Sequence, residues 1–350
     1  MSRQVTTNNC TGPSLATRAV HIYRFVVFDA HALILILPIV LPLLVGWAAV
    51  RAKILSRADS HVLSIFFVHI AAPSLLIHVF ANQDLERLFD VRYMMGFLVV
   101  TLTLCGGVFL IERVFLGRRL EVSAFAAFTG AKFNAVVLGL PVLLATIGHL
   151  GSGPVMMNLI LGHVTILPLT LVLSGLSRQD GSAGASRTLI RALKDVIKDP
   201  LVLSAIIGLI LGVTQIHLPG WLDKTLQSLG AATLPTALVA SGMSISAVAL
   251  KEDVLEVVWV SGVRMILSPV LAIVVAMIAG LSPVFAIALV LSFGIPTAQM
   301  VVALCEEEKV EYTKSAAAIV TTTTVALMVT LPVLIWVCDR LWPGILKGGF

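Results

Sequence analysis

Residues 131–148 read AKFNAVVLGLPVLLATIG, a run apolar enough for a membrane helix that nonetheless carries Lys132, Asn134, Gly139 and Pro141. A second run, VFAIALVLSFGIPTAQMVVALCEE, places Gly294, Pro296, Thr297 and Gln299 near its middle. Proline lacks an N–H and leaves backbone groups of its helix unpaired. Such groups are not tolerated against lipid and must be buried in protein or line a water-filled cavity. Two broken helices meeting near the bilayer midplane would offer free amides and carbonyls, and their half-helix N-termini would present partial positive charge to an anion. Lys132 adds a full charge to the first run, and Arg264, in VWVSGVRMILSPVLA, lies at a similar depth in another. An ionisable residue inside a span costs roughly 2.5–3.5 kcal/mol on insertion scales, so it marks a functional site by default. Each feature has a plainer alternative. Glycine and proline are common in membrane helices, Lys132 can snorkel from a helix end, and Arg264 either grips an anion bidentately or pairs structurally with a carbonyl-rich break.

The elements that must hold these residues follow from composition. With 58% apolar and 12% charged residues among 350 and a mean hydropathy of +1.01, the chain is too oily for a soluble domain and is expected to be an all-α integral membrane protein. A spanning helix needs about 20 apolar residues. Ten runs qualify, at 31–50, 60–80, 93–111, 122–148, 154–176, 200–218, 226–250, 255–280, 284–305 and 315–338. The net charge of +5 therefore matters through its placement and does not point to nucleic acid. With the N-terminus outside, fourteen of the twenty-four Lys and Arg fall in inside loops and eight outside. That bias predicts both termini outside a plasma membrane, the bacterial inner membrane fitting best, with Arg3, Arg18 and Arg24 of the tail dissenting. Cys10, Cys105, Cys305 and Cys338 form no C-x-x-C and imply neither metal nor disulfide framework. The first apolar run is too long for a cleaved signal segment and is read as a retained span.

A basic connector at 177–199 divides the spans five and five, between a tail at 1–30, a first repeat at 31–176, a second at 200–338 and a tail at 339–350. Pro38 and Pro200, Pro73 and Pro235, and Asn134 and Pro296 each stand 162 apart; Pro168 and Pro332 fit with a slip of two. An odd number of spans per repeat forces the second copy into the membrane inverted. In inverted-repeat carriers the interrupted spans at corresponding positions point to the binding site, and here those are the fourth and the ninth.

The fourth span, FNAVVLGLPVLLATIG, resembles the N-x-x-x-x-G-x-P crossover of the auxin efflux carrier family. The stretch from GIPTAQMVVALCEEEKVEYTK to the threonine-rich run before Leu331–Pro332 is similar to that family's second crossover and last helix. KDPLVLSAIIGLILGVTQIHLPGWLDKTLQSLGAATLPTALVASGMSIS looks like its sixth and seventh. The resemblance implies ten transmembrane helices as two inverted five-helix repeats with helices 4 and 9 crossed. It further implies a homodimer-forming scaffold of helices 1, 2, 6 and 7, and a transport domain of helices 3–5 and 8–10 that slides as an elevator. Implied substrates are organic anions: malonate, malate and other carboxylates in bacteria, indole-acetate in plants. The first crossover matches at Asn134, Gly139 and Pro141 and the second at Pro296 and Thr297; where family members often carry an asparagine beyond the second proline, this chain has Gln299 and Met300.

Coupling is left open. Every Asp and Glu falls in a loop, a tail or near a span end, which weighs against a carboxylate proton relay and leaves sodium held by carbonyls and hydroxyls, a histidine among His69, His78, His149 and His163, or uniport. Thr321 to Thr324, Ser241 and Ser244 either line a cavity or, as is commoner, bond their own helices. The competing readings are a sodium-coupled bile-acid-type symporter of the same architecture, a channel or non-transporting sensor, and an intramembrane enzyme. The last lacks any G-x-S-x-G, H-E-x-x-H or paired intramembrane aspartates. The chain is thus expected to be no enzyme and to hold no cofactor.

Overall fold

A computed structural model of the chain describes residues 41–82, 90–177, 198–245 and 254–346, with Leu37 and Ile190. The N-terminal tail, the start of the first expected span and most of the connector lie outside these residues. The described elements are helical, and the one backbone bridge outside them joins Phe133 to Thr297 in antiparallel sense.

In chain order the helices are α1 (Leu41–Arg51), α2 (Asp59–Ala81), α3 (Val91–Phe115), α4 (Leu120–Ala131), α5 (Ala135–Ile147), α6 (Ser152–Leu176), α7 (Pro200–Thr214), α8 (Gly220–Ala231), α9 (Thr233–Ile245), α10 (Val254–Ile278), α11 (Pro283–Phe293), α12 (Met300–Glu307) and α13 (Thr313–Leu341). Five of them, α2, α3, α6, α10 and α13, are long and apolar enough to cross a membrane. At 1.5 Å per residue, the 12 residues of α4 or the 11 of α11 reach little more than half of a hydrocarbon core about 30 Å thick. The fourth and ninth expected spans are thus each two half-helices, α4 with α5 and α11 with α12.

Short π turns interrupt several helices, and two bear on the site. Ala135–Gly139 opens α5, and Val263–Leu267 carries Arg264 within α10. An extra residue per turn re-aims the side chains that follow, which is why such turns gather at functional positions.

Two packing groups surround the breaks. In the first, α1 and α9 touch backbone to backbone. A Cβ on Gly46 would lie 2.1 Å from the Val239 carbonyl oxygen, and one on Gly242 would lie 2.0 Å from that of Leu43. The α2 helix packs on α7 at Gly208, where a Cβ would lie 2.9 Å from Phe80 Cβ, and on α8 at Gly230, where it would lie 2.9 Å from Leu75 Cα. Small residues drive helix association in lipid because they permit this approach.

The second group centres on α11, whose residues Ala286 to Phe293 are all buried, as befits a helix apolar on every face. Its polar tie is a chain across three helices: the Tyr93 hydroxyl donates to Asn158 Oδ1 at 2.8 Å, and Asn158 Nδ2 donates to Ser292 Oγ at 2.8 Å. At one end of this group Glu112 is wholly buried and Glu256 nearly so, with Trp259 Nε1 donating to Glu112 Oε1 at 2.9 Å. Both acids lie near a span end, as expected, and packing between helix ends buries them. The outer faces carry Ile278 at 82% and Phe115 at 78% exposure, an apolar surface suited to lipid.

Candidate binding site at the crossed helices

The α4 helix ends at Ala131, and Lys132 turns extended with φ −84° and ψ 115°. Three residues later α5 begins; on the other strand of the break, α11 ends at Phe293 and α12 begins at Met300. The two extended links pair with each other. The Asn134 amide donates to the Pro296 carbonyl at 3.0 Å, and the Ala298 amide to the Lys132 carbonyl at 3.1 Å. Proline at 296 has no N–H to leave unpaired, and its carbonyl finds a partner. Pairing backbone to backbone satisfies groups that would each cost several kcal/mol inside a bilayer.

Side chains finish the job. Asn134 Oδ1 accepts from the Val137 amide at 3.2 Å and caps α5. Thr297 Oγ1 donates to the Thr129 carbonyl at 3.0 Å, and its amide donates to Thr323 Oγ1 at 3.3 Å. The Gly139 amide donates to the Asn134 carbonyl at 2.9 Å, and Pro141 sits in the first turn of the α-helical part of α5. At Gly294 a Cβ would come within 2.1 Å of Leu334 Cδ1, so glycine leaves α13 its place.

Arg264 is 0% exposed. Its Nε donates to the Ile295 carbonyl at 2.9 Å, Nη2 to Phe293 at 3.1 Å and Ser292 at 3.4 Å, and Nη1 to Ala131 at 3.3 Å. The guanidinium also lies 5.2 Å from the Phe133 ring centroid and 5.8 Å from that of Phe293. Ser268 Oγ adds a bond to the Phe293 carbonyl at 2.9 Å. The carbonyl ends of α4 and α11, both carrying partial negative charge, are therefore held by one cation. Of the two roles open to Arg264 in the sequence, this geometry is that of the carbonyl partner.

The amide ends of α5 and α12 face elsewhere. A cavity of about 610 Å³ is lined by Ala135, Val136 and Val137 from the first and by Ala298, Gln299 and Met300 from the second. Of the residues singled out in the sequence, Lys132, Asn134, His163, Gln299 and Thr321 line it; Gly139, Gly294, Pro296, Thr297 and Arg264 belong to the break and are not among its lining residues. Gln299 Nε2 donates to Ser241 Oγ at 2.8 Å, reaching across to α9. The opposite wall comes from the first packing group, with Ser60, His61, Ser64 and Phe67 of α2, Asp199 and Leu201 at the start of α7, and Met243 of α9. The cavity thus separates the two groups.

Sequence reading did not place His61, Asp199 or Glu306 in this wall. His61 and Asp199 are distant in sequence from the breaks, and nothing in their local pattern betrays the fold-back; Glu306 lies in α12 itself, one of a run of acids at its end. Asp199 also caps α7, accepting from the Leu201 and Val202 amides at 2.8 and 3.2 Å. His163, read as a relay candidate or a core residue, lines the cavity with its Nδ1 3.2 Å from Lys132 Nζ.

Crossed half-helices around a largely apolar cavity with a few convergent polar groups, in an apolar helical body, fit a multi-pass membrane protein of the transporter class. Residues 31–335 match the membrane transport protein family, and the chain belongs to that family, the auxin efflux carriers. Relatives include a "Putative malonate transporter" of Rhizobium meliloti, 24% identical over 75% of this chain and 82% of its own. An uncharacterized transporter of Methanothermobacter thermautotrophicus is 24% identical over 85% of this chain and 95% of its own. The uncharacterized transporter YfdV of Escherichia coli K12 is 23% identical over 86% of this chain and 96% of its own.

Proposed function

We propose that the chain is a secondary carrier for small organic anions, short mono- and dicarboxylates such as malonate, working by elevator-type alternating access. The observation that carries this reading is the sorting of charge at the crossing. Arg264 neutralises both carbonyl ends, while the two amide ends and Lys132 line the cavity. Oriented amides and a lysine amine favour an anion, and the volume lies within the roughly 300–1,000 Å³ usual for small-molecule pockets.

The position of the cavity supports the elevator. The α1, α2, α7, α8 and α9 helices, which correspond to spans 1, 2, 6 and 7, would be the scaffold. The group built on α11, spans 3–5 and 8–10, would be the moving body. A substrate bound at the crossing would travel with the second along the first. In this reading the ten spans form two inverted five-helix repeats, both termini lie outside the cell's inner membrane, and the scaffold faces a second copy in a homodimer. No nucleic acid, resident metal or cofactor is involved.

Counterflow in proteoliposomes tests the reading. Vesicles loaded with unlabelled malonate should transiently accumulate external labelled malonate, as a carrier exchanges one for the other. A pore would let label equilibrate without accumulation, and the carrier assignment would fall.

A further inference from the structure

Lys132 and His163 meet in the cavity wall, 5% and 3% exposed. His163 Nδ1 lies 3.2 Å from Lys132 Nζ and 2.7 Å from the Leu159 carbonyl oxygen. A carbonyl accepts and never donates, so a contact that short assigns the proton to Nδ1. An imidazole nitrogen has one in-plane site. With its N–H aimed at Leu159, Nδ1 keeps no lone pair for an ammonium, whose own three hydrogens also seek acceptors. Two arrangements satisfy the pair. In one, the lysine is a neutral amine beside an Nδ1–H. In the other, it is an ammonium donating to Nδ1, with the ring proton on Nε2 and the Leu159 contact given up.

Among the described residues no carboxylate forms a direct ion pair with Lys132, and the Asp199 charge acts on it through space. The charged and titratable groups facing the pair from neighbouring elements are His61 of α2, Asp199 at the start of α7 and Glu306 of α12, all in the cavity wall. Asp199 is engaged with the amides of α7. Behind the pair, Arg264 of α10 is bound to carbonyls and Tyr93 of α3 to Asn158. Gly162 gives the amine its berth, since a Cβ there would lie 3.1 Å from Nζ.

We propose that Lys132 and His163 are the proton-coupling element of this carrier, and that an organic anion entering the cavity draws one proton from the aqueous phase onto the Lys132 amine. The inference rests on the organic-anion reading above. Hydronium gives its proton to the Nζ lone pair and leaves water; the anion then pairs with the ammonium. His163 exchanges tautomer, its Nδ1 proton passing to water as Nε2 takes one from water, so that Nδ1 becomes an acceptor and the ring's proton count is unchanged. On the far side the anion departs and the proton follows it into solution. One proton and one anion cross together, so a monoanion moves without net charge.

Calorimetric titration of malonate into the purified full-length protein, repeated at one pH in buffers of different ionisation heat, counts the protons taken up. About one per bound malonate is expected, with apparent affinity falling about tenfold per pH unit where the empty pair is neutral. Lys132→Arg should bind malonate without proton uptake, because a guanidinium is always charged. Glu306→Gln and His61→Gln should keep the uptake of the parent.

Binding without proton uptake in the parent overturns the inference and needs no variant. So does uptake that persists in Lys132→Arg or vanishes in Glu306→Gln or His61→Gln; in each case the anion-carrier reading stands. Absence of any binding by malonate, malate and acetate removes that reading and this inference with it.

Discussion

Arg264 is the residue on which the break depends, because its guanidinium is shared by carbonyls from both interrupted helices. Replacing it with methionine keeps volume but takes the guanidinium from the buried Ile295 and Ala131 carbonyls, at about 1–3 kcal/mol each, and leaves Phe293 only its bond from Ser268. Arg264→Met should therefore lower the thermal unfolding midpoint in detergent by many degrees, and an unchanged midpoint would remove it from its structural role. Lys132 differs, since it lines the cavity and its removal leaves no carbonyl of the other half-helix without a partner. Lys132→Gln should fold normally and lose affinity for dianions by a larger factor than for monoanions, measured by competition with labelled substrate. Equal losses would mark it as structural. The contrast could not be read in the sequence, where Lys132 and Arg264 are two cations at similar depth. What separates them is the π turn over Val263–Leu267 and the fold-back of α11, which bring distant carbonyls to one and a cavity to the other.

At the level of helices, the breaks themselves were legible. Proline and glycine crowded into an apolar run tell where a helix must stop, and α4 and α11 stop within a few residues of Asn134 and Pro296. The close contacts of α1 with α9 were not, because a glycine in a membrane helix reveals neither its partner nor its distance. Gly242→Val would force side-chain atoms into the Leu43 carbonyl 2.0 Å from the position of a Cβ. It should reduce folded yield and midpoint, whereas the same change at Gly106, where nothing stands within 4 Å, should do little. The α2 and α8 helices are further clamped by Asp223. Its carboxylate accepts from Asn82 Nδ2 at 2.9 Å and lies 2.7 Å from His78 Nδ1. The Asn82 hydrogen bond, joined by His78, holds this carboxyl below its ordinary value. Its share of stability is accordingly present above the unfolded carboxylate range, about 4, and is lost as pH falls through the folded value. Asp223→Asn should thus differ from the parent in midpoint at neutral pH and converge with it in acid; a constant difference would contradict the linkage.

Across the molecule, the described residues form two packed groups that flank a cavity, bridged beside it by the bond from Gln299 to Ser241. If one group slides along the other, that bond must break in each cycle. Cysteines at 241 and 299, in a chain whose native cysteines are replaced by serine, should let mercuric ion arrest transport, with a thiol restoring it; transport that continues while bridged would exclude sliding. The central claim is narrower, that the crossing of the two interrupted helices is where an anion binds. Asn134→Ala together with Pro296→Ala removes the α5 cap and the proline that shapes the second link, and the measurement is malonate counterflow by this double variant in proteoliposomes, with folding checked by size-exclusion profile. The account predicts a folded protein whose counterflow is abolished; counterflow at the parental rate would contradict it.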